Sequence, residues 1–565
     1  MTPWSEFIRD NLPILVEAMA CVALGLAALG RENSPAGVWS HMEAGLKRIA
    51  NRPVASLALC FLLPVVARSA LLPVWPVRTP WIHDELSNLL LADTFVHGRL
   101  SNPTPPEWIH FETFHVIQTP TYSSIRPPAP ALPLALAQAV TGIPWLGVLF
   151  GVGAMCAAIG WMLRQYVSPA WALAGGLLAG VHYGIVSSWM NSYWGGGVAA
   201  TAGAVMLGEL ERFRKRRSAV DAIAMGLSAG LLVNTRPFEG SLFCCAVFAV
   251  AIFRDRRALW ERAAVTRQWL PLGVALAGVA GWMMYYNHQT TGSWWLSPYV
   301  AGYRTYIEAP ALLWQAPRQV HYNHAVMAAL YAGWEMDHYR QWLSWGGAWR
   351  ETISKLLNFW AFFLRPALTI PAAVFLWRNR RRWRHGLTLV AAVAALGMLV
   401  ETWFNPHYIA QLTALVVLVT ILGLQELRRM GPAGVFLSRA LPCLAAVTVA
   451  VVASPCLFSM RFGGQRQAGW YLTDGGLPER TRVVESLKRQ TGKHLVFVKY
   501  APNHFCHVEW VWNEADMDGA RIVWARDLGP ESDARVARDF PGRSVWLVEA
   551  DRKTPAARPY LPPLD

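Results

Sequence analysis

The chain has 565 residues, of which 54% are hydrophobic and 29 are tryptophan, and its mean hydropathy is positive. This composition excludes an ordinary soluble protein and predicts an α-helical polytopic membrane protein. The net charge of +15 does not by itself indicate nucleic acid, because the Lys and Arg residues of membrane proteins gather in short cytoplasmic loops. We therefore expect membrane lipids as partners and no nucleic acid.

Apolar runs near the ~20 residues that a membrane-spanning helix needs recur along the chain. They lie at about 11–30, 53–76, 144–163, 168–186, 195–211, 218–235, 238–253, 268–287, 356–377, 385–404, 407–426 and 436–457. A further run, PPAPALPLALAQAVTG at 127–142, is shorter and rich in proline. The pattern predicts about 12 transmembrane helices and leaves 127–142 to be assigned.

Basic clusters between these runs set the orientation, since Lys and Arg mark the cytoplasmic side. The clusters are RFRKRR (212–217), RDRR (254–257), RNRRRWRH (378–385) and LRR (427–429). They share one side with the loop that carries Lys47, Arg48 and Arg52 only if 127–142 does not cross the membrane. We therefore interpret 127–142 as a re-entrant or interfacial helix, with 12 spans and both termini outside.

This orientation predicts the domain organisation. Residues 1–52 form an N-terminal helix and a cytoplasmic loop, and 53–458 form the transmembrane domain with outer loops 77–143 and 288–355. The remaining segment, 459–565, is charged and alternates like strands in HLVFVKY, ARIVWARD and RSVWLVEA, whereas PERTRVVESLKRQ suits a helix. It is predicted to be a small soluble α/β domain on the outer face.

Polar residues gather at the outer ends of the spans, whereas the middles of the spans carry few ionisable groups apart from Glu17. The outer set is Asp84, Glu85, Arg126, Asn191, Arg236, Glu239, Glu401 and His407. A charge at the centre of a span costs at least ~2.5–3.5 kcal/mol, so a functional polar set should avoid that depth unless something must pass through. Acids and cations at one interface predict an outward-facing site for an anionic ligand next to a carboxylate.

Simpler explanations stay open for single residues. Asp84 and Glu85 can serve as an N-cap and a favourable charge at a helix start. Arg126 can extend towards lipid headgroups, and His407 can be a packed histidine. Arg236 is harder to explain in this way, because an outer-side arginine runs against the charge bias of the other loops.

Four segments together resemble the GT-C superfamily of membrane glycosyltransferases, in its protein-mannosyltransferase and aminoarabinose-transferase-like branch. They are HDE (83–85), SIRPPAPALPLALAQAVTG (124–142), TRPFEG (235–240) and PHYIAQLTALVVL (406–418). The likeness of layout extends over about 50–460. It implies transfer of a sugar from a polyprenyl-phosphate donor to a glycan, lipid or protein acceptor, on the periplasmic face of a cell inner membrane.

By this resemblance Asp84 is the catalytic base or an acceptor-orienting acid, and Arg126 contacts the lipid phosphate. The chemistry favours the same roles, since the acceptor hydroxyl must lose a proton and the departing phosphate must be stabilised. Glu85 would orient Asp84 or the acceptor. The other predicted substrate-binding residues are Arg236, His407, Asn191 and Glu401. Displacement in a single step would invert the anomeric centre.

No metal site is predicted. The outer loop 187–197 offers Asn191 and no acid, where relatives often carry one or two, and a hard divalent cation prefers several carboxylate oxygens. His504, Cys506 and His507 do not fit a standard four-ligand zinc spacing. A divalent cation is therefore not supported.

Two other classes of protein stay open. A transporter or lipid flippase usually has broken helices and ionisable groups near the midplane, and these are not evident in this sequence. A catalytically inactive lipid- or sugar-binding relative is the second alternative. The aromatic loop 288–355 could stack against sugar rings or form an interfacial belt, and its Glu335, Asp337 and His338 could equally belong to a solvated loop.

Overall fold

The computed structural model describes residues 3–29, 37–254, 256, 260–379, 385–458 and 477–560. Parts of the basic clusters RDRR and RNRRRWRH, and the start of the predicted C-terminal domain at 459–476, lie outside the described residues. The chain divides into two compact units. The first consists of 1–77, 148–280 and 350–473, and the second of 78–147, 281–349 and 474–565.

The described part of the first unit is built from helices. They are α1 (Pro3–Leu29), α2 (Gly37–Ala50), α3 (Pro53–Ala70), α6 (Trp145–Leu163), α7 (Pro169–Gly184), α8 (Ser188–Asn191), α9 (Gly196–Arg216), α10 (Ala219–Val233), α11 (Pro237–Arg254), α12 (Arg262–Ala264), a π-helical segment (Val265–Trp269), α13 (Leu270–Thr291), α17 (Trp345–Phe363), α18 (Arg365–Arg378), α19 (His385–Val400), a 3-10 segment (Pro406–Leu412), α20 (Thr413–Arg428) and α21 (Gly431–Phe458). The ends of α6, α13 and α17 extend into the residues of the second unit.

Among the described residues, seven helices are long and apolar enough to cross a membrane, or eight if the pair α17 and α18 forms one span bent by 95°. The seven lie at Leu12–Leu29, Pro53–Ala70, Trp145–Leu163, Pro237–Arg254, Arg262–Thr291, Pro406–Arg428 and Gly431–Val451. These helices support a multi-pass membrane protein. The predicted count of 12 is not confirmed, because several apolar runs form helices that are short, bent or charged at one end.

Helices of the first unit approach one another closely at glycines. A Cβ on Gly423 of α20 would collide with the backbone of Pro371 in α18, and one on Gly203 of α9 would collide with the backbone of Gln411. Small residues let helix backbones pack closely, as they commonly do in membrane proteins. This packing fixes the 3-10 segment that carries His407.

Glu17, the ionisable residue predicted in the middle of a span, is paired. Its Oε2 lies 3.2 Å from Arg365 Nε, and its Oε1 accepts a hydrogen bond of 2.9 Å from Ala367 N. Both charged side chains are almost fully buried. Arg365 has a φ of 51° at the break between α17 and α18, next to Pro366. The Glu17 carboxylate therefore neutralises the buried charge of Arg365 and accepts a hydrogen bond from the Ala367 N–H, which has no partner within the first turn of α18.

The second unit combines helices with two small sheets. Its elements are α4 (His83–Val96), a 3-10 turn (Trp108–Phe111), β1 (Val116–Ile117), β2 (Ser123–Ser124), α5 (Ala131–Thr141), α14 (Pro298–Tyr306), α15 (Ala325–Ala328), a π-helical segment (Ala329–Glu335), α16 (Met336–Trp342), α22 (Pro478–Lys488), β3 (His494–Lys499), β4 (Ile522–Arg526), α23 (Pro530–Asp539), β5 (Ser544–Glu549) and β6 (Arg558–Pro559). The pair β1–β2 is antiparallel. The larger sheet has the order β4-β3-β5-β6, with β3 parallel to β4 and β5, and β6 antiparallel to β5.

The three predicted strands of the C-terminal segment are confirmed as β3, β4 and β5, and the predicted helix as α22. Alternate residues of β3 enter two cores, as the period of a strand requires. Leu495 and Phe497 pack in a core that also contains Leu90, Phe111 and Tyr122 from the first predicted outer loop. The C-terminal sheet and that loop therefore share one hydrophobic core.

The helix predicted to be re-entrant or interfacial is α5. Its 11 residues span about 16 Å at 1.5 Å per residue, about half of the ~30 Å hydrocarbon core. A helix of this length does not cross a membrane alone, which agrees with the non-crossing interpretation. Its position at the membrane surface stays a prediction.

Candidate active site

Asp84 and Glu85 lie in the first turn of α4, where negative charge favours the helix dipole. Glu85 is buried, and its Oε2 lies 3.4 Å from Arg78 Nη2 and 3.5 Å from the N–H of Ile82, the N-cap residue. A Glu at the third position that accepts a hydrogen bond from the N-cap backbone forms one half of a capping box, because the Ile82 side chain has no acceptor for the other half. Glu85 therefore stabilises the helix start, the simpler explanation considered for the pair, and its catalytic role stays a prediction.

Asp84 forms an ion pair with Arg126, which lies two residues after the end of β2. Both side chains keep partial access to solvent, with 23% and 17% of their surface exposed. The structure thus brings together the predicted base and the predicted phosphate ligand. A polar ligand can reach both groups.

His115 is the third member of this group, and the sequence analysis did not single it out. Its Nε2 lies 3.4 Å from Asp84 Oδ1. Burial lowers the pKa of His115 to about 4. The ring is therefore neutral near physiological pH and can donate a hydrogen bond to the Asp84 carboxylate without adding a second positive charge.

The backbone of His115 is held in an uncommon conformation, with a φ of 59°. Its carbonyl oxygen accepts hydrogen bonds from Ser87 Oγ at 2.7 Å and from Ile125 N at 3.0 Å, while its N–H donates to the hydroxyl of Tyr331 at 3.3 Å. A left-handed conformation at a non-glycine residue costs about 1–2 kcal/mol. Its persistence here, beside Asp84, is typical of strain retained at functional sites.

Two serines connect the elements that carry the group. Ser87 Oγ in α4 lies 2.7 Å from Ser124 Oγ in β2, and Ser124 Oγ accepts a hydrogen bond of 3.0 Å from Arg126 N. Ser87 also holds the backbone of His115. The start of α4 and the β1–β2 hairpin are therefore fixed against each other, and with them Asp84, His115 and Arg126. Ser124 is the first residue of the segment SIRPPAPALPLALAQAVTG, whereas no sequence motif indicates Ser87.

Aromatic rings surround His83, which precedes Asp84. The ring centroids lie 4.3 Å from Phe114, 5.8 Å from His115 and 5.6 Å from His507. Burial, with His115, His507 and Arg126 adding to it, holds the pKa of His83 well below its usual value. Neither ring nitrogen of His83 has a hydrogen-bond partner among the described residues. Uncharged aromatic rings thus lie beside the ion pair of Asp84 and Arg126.

Glu335 belongs to the same unit and is electrostatically coupled to Arg126. Burial raises its pKa to about 8, and the Arg126 guanidinium partly opposes that rise. Glu335 is therefore largely protonated near neutral pH, unlike a carboxylate of a solvated loop.

His504 and His507 point to different partners. His504 Nδ1 lies 2.7 Å from Asp551 Oδ1, whereas His507 packs its ring edge against Trp334 at 4.5 Å. Cys506 is buried in a hydrophobic core. Within the part of the chain that the structure describes, no three His, Cys, Asp or Glu side chains are arranged to hold a metal ion.

A second polar group lies in the first unit. Arg236 stacks over the ring of Tyr408 at 4.5 Å and interacts electrostatically with Glu239 and Glu401, which are both buried. The buried ammonium group of Lys355 donates to the backbone oxygen of Glu401. The structure thus brings Arg236 and Glu401 together with a lysine that no motif indicates, and their contact with a substrate stays a prediction.

The other two predicted residues of this unit have packing roles. His407 is buried, with its ring 4.8 Å from that of Trp194. Asn191 Oδ1 accepts a hydrogen bond of 2.9 Å from Arg68 Nε, and its Nδ2 donates to Ser187 O at 2.9 Å. These contacts stabilise the turn between α8 and α9. Contacts of either residue with a substrate stay predictions.

No protein-family model matches the sequence, and no curated protein is similar to it at the sequence level. Among solved structures, the chain is similar to the apo oligosaccharyltransferase of Archaeoglobus fulgidus, with 11% identity, a TM-score of 0.42 and coverage of 88% of this chain and 69% of that one. It is also similar to ArnT from Cupriavidus metallidurans, with 14% identity, a TM-score of 0.39 and coverage of 86% and 92%.

A further similar structure is the archaeal oligosaccharyltransferase AglB from Archaeoglobus fulgidus in complex with an inhibitory peptide and a dolichol-phosphate, at 12% identity and a TM-score of 0.37, covering 79% of this chain and 62% of that one. These proteins are GT-C superfamily glycosyltransferases, the superfamily that the sequence motifs resemble.

Proposed function

We propose that this protein is an integral membrane glycosyltransferase, which moves a sugar from a polyprenyl-phosphate donor to a glycan, lipid or protein acceptor. The observation that carries the proposal is the partly exposed ion pair of Asp84 and Arg126, with neutral His115 against the same carboxylate. A carboxylate to accept a proton and a guanidinium to bind a phosphate are the two groups that this transfer needs.

In the proposed reaction the donor phosphate replaces Asp84 as the partner of Arg126. Arg binds phosphate oxygens through its planar donors, and the charge-assisted bonds strengthen as the leaving oxygen gains charge. Asp84 is then free to accept the proton of the acceptor hydroxyl. The acceptor oxygen bonds to the anomeric carbon as the bond from that carbon to the phosphate oxygen breaks, with its electron pair going to the phosphate.

His115 and Glu335 support this reaction without taking part in bond exchange. The neutral His115 ring fixes the orientation of Asp84, and its strained backbone is held by Ser87 and Tyr331. Because its pKa is raised to about 8, Glu335 is largely uncharged near neutral pH. It therefore does not neutralise the positive charge of Arg126 when the donor binds. A single displacement at the anomeric carbon inverts its configuration.

The remaining assignments extend the proposal. Arg236, Asn191, Glu401 and His407 are further substrate-binding residues, with Lys355 added to them, and Glu85 supports Asp84 through the start of α4. The transfer takes place on the periplasmic face of an inner membrane, with both termini on that side. The proposed domains are 1–52, the transmembrane domain 53–458, and an outer-face domain that begins at 459.

The test is a transfer assay with purified protein, a labelled polyprenyl-phosphate sugar and candidate acceptors. Asp84→Asn keeps the size of the side chain but removes the base, and should lower kcat by about 10²–10⁴. Asp337→Asn is the matched control, because Asp337 lies in the same unit with 67% of its side chain exposed. Unchanged transfer by Asp84→Asn would remove Asp84 from the mechanism.

The same preparation separates the alternatives. Donor binding without turnover in the unaltered protein would support an inactive lipid- or sugar-binding relative, and movement of a labelled lipid between vesicle leaflets would support a flippase. NMR of the product at its anomeric proton tests inversion, and net retention would end that part of the proposal.

A further inference from the structure

The first unit contains a cavity of about 760 Å³ that the proposed reaction does not use. It lies between the last turns of α9 and α11 and the first turns of α19. Its size falls within the ~300–1,000 Å³ range of small-ligand sites. The cavity has a polar side and an apolar side, and the two sides point to the kind of ligand.

The polar side carries an excess of positive charge. Arg214, Lys215 and Arg254 line it, together with a single carboxylate from Glu211. Glu211 is almost fully buried, and its carboxylate lies 2.9 Å from Arg254 Nη1 and 3.7 Å from Lys215 Nζ. Three cations against one carboxylate leave a formal charge of +2. Arg214 makes no ion pair with any described residue and is exposed.

The apolar side is open to the surroundings. Phe253 is 74% exposed and Leu389 is 40% exposed, although both line the cavity. Gly386 keeps the first turn of α19 narrow here, since a Cβ at this position would lie 2.6 Å from Val250 and 3.2 Å from the Arg254 guanidinium. Exposed aromatic and aliphatic side chains next to cations fit a ligand with one anionic end and one apolar end.

We propose that this cavity binds an anionic phospholipid, with its phosphodiester headgroup between Arg214, Lys215 and Arg254 and its acyl chains along Phe253 and Leu389. Basic cavities between membrane helices recognise the headgroups of anionic lipids, whereas a free phosphate would gain nothing from the apolar side. The basic clusters 212–217 and 254–257 place the headgroup in the leaflet that the predicted cytoplasmic loops face. The inference does not depend on the proposed transfer reaction.

Native mass spectrometry of the delipidated full-length protein in detergent tests the proposal. The protein is titrated with phosphatidylglycerol and, separately, with phosphatidylcholine, which has the same acyl chains and no net charge. We expect one phosphatidylglycerol to bind about fivefold more tightly than phosphatidylcholine, or more. The reason is that each basic residue near the headgroup of an anionic lipid strengthens binding by about fivefold. Inorganic phosphate is the third arm and should not displace the lipid at the same concentration.

Variants locate the binding. Arg214→Gln and Lys215→Gln should each weaken phosphatidylglycerol binding by about fivefold and leave phosphatidylcholine unchanged, and both residues are exposed, so folding should not suffer. Leu389→Trp, which narrows the apolar side without changing charge, should weaken both lipids. Arg52→Gln is the control, because Arg52 is exposed in a basic loop away from the cavity.

Equal binding of the two lipids would overturn the proposal, as would an Arg52→Gln effect as large as that of Arg214→Gln. If an equal concentration of inorganic phosphate displaces phosphatidylglycerol, the cavity is a site for a small free anion and the lipid proposal is wrong.

Discussion

Asp84 and Arg126 form an ion pair that joins the first turn of α4 to the residue that follows the β1–β2 hairpin. The two residues are far apart in the sequence, and Ser87 and Ser124 hold their elements together through a 2.7 Å contact between the two hydroxyl groups. The pair is fixed by its surroundings and still partly exposed, and in the proposed reaction the donor phosphate replaces Asp84 as the partner of Arg126.

Replacement of Arg126 should weaken donor binding. Hydrogen bonds to charged groups contribute about 1.5–3 kcal/mol each, so Arg126→Gln should lower kcat/KM by roughly 10–150-fold. Arg126→Lys keeps the charge but loses the paired donors of the guanidinium. Its kcat/KM should therefore lie between that of the unaltered protein and that of Arg126→Gln. Steady-state kinetics with varied donor concentration measure the effect. Arg304→Gln, at an exposed position of α14, is the control; equal losses in both variants would point to a general fault of the protein.

His115 offers a test that separates its backbone from its ring. Asn tolerates the left-handed conformation at φ 59° better than most residues. His115→Asn should therefore keep the stability of the protein while lowering kcat, because Asp84 loses the ring at 3.4 Å. His115→Ala removes the same ring at a position that Ala disfavours, and should also lower the free energy of unfolding by about 1 kcal/mol.

Thermal unfolding and transfer rates of the two His115 variants give the comparison. If His115→Asn transfers sugar as fast as the unaltered protein, the ring does not position Asp84.

The sequence named Asp84 and Arg126 as candidate residues but did not show how the elements that carry them are joined. Asp84 and Arg126 could be named because charges at span ends are few and conspicuous. His115 could not, because no periodicity indicates a left-handed residue before a two-residue strand. Glu335 and His507 come from segments distant in the chain. Their relation to Asp84 arises from tertiary packing, which a single sequence does not display.

The predicted count of 12 spans is not confirmed, for a physical reason that is partly visible in the sequence. The run at 356–377 is predicted as one span, but the chain bends by 95° between α17 and α18. The residue before a proline is disfavoured in the helical region, and Arg365 precedes Pro366 at this bend. The strands of the C-terminal segment were easier to predict, since β3, β4 and β5 each contain a short run of β-branched and aromatic residues between polar segments.

Glu335 should make stability depend on pH. Its pKa is raised from 4.5 to about 8 by burial, so the folded state holds a proton that the unfolded chain has lost between these values. Its contribution is fully favourable below the unfolded pKa and is lost as pH rises through about 8. Glu335→Gln, which cannot ionise, should therefore raise the melting temperature more at about pH 9 than at about pH 5.

Differential scanning fluorimetry of the purified Glu335→Gln variant across this range measures the difference, with Glu531→Gln, an exposed position in α23, as the control. The same gain at both ends of the range would show that Glu335 is ionised in the folded protein throughout.

The buried pair of Glu17 and Arg365 should be necessary for stability. Removal of one partner from a buried ion pair costs about 3–5 kcal/mol, because the other charge is left uncompensated. Glu17→Gln removes the charge that pairs with Arg365 and weakens the hydrogen bond from the Ala367 N–H. We therefore expect its free energy of unfolding to fall by an amount in this range. Glu261→Gln breaks the exposed pair with Arg217 and should cost at most about 1 kcal/mol. Denaturant unfolding in detergent compares them; similar losses would mean that water reaches Glu17.

The predicted sidedness can be tested with two lysines whose side chains are equally accessible. Lys488 in the second unit and Lys215 in the first each have 53% of their side chain exposed, so a difference in labelling reports the compartment rather than burial. In a background without the native cysteines, Lys488→Cys should react with a membrane-impermeant maleimide in intact cells. Lys215→Cys should react only after the cells are permeabilised, since Lys215 belongs to a basic cluster predicted to face the cytoplasm. Labelling of both positions from outside would contradict the orientation, whereas labelling of Lys215→Cys alone would reverse it and place Asp84 on the cytoplasmic side.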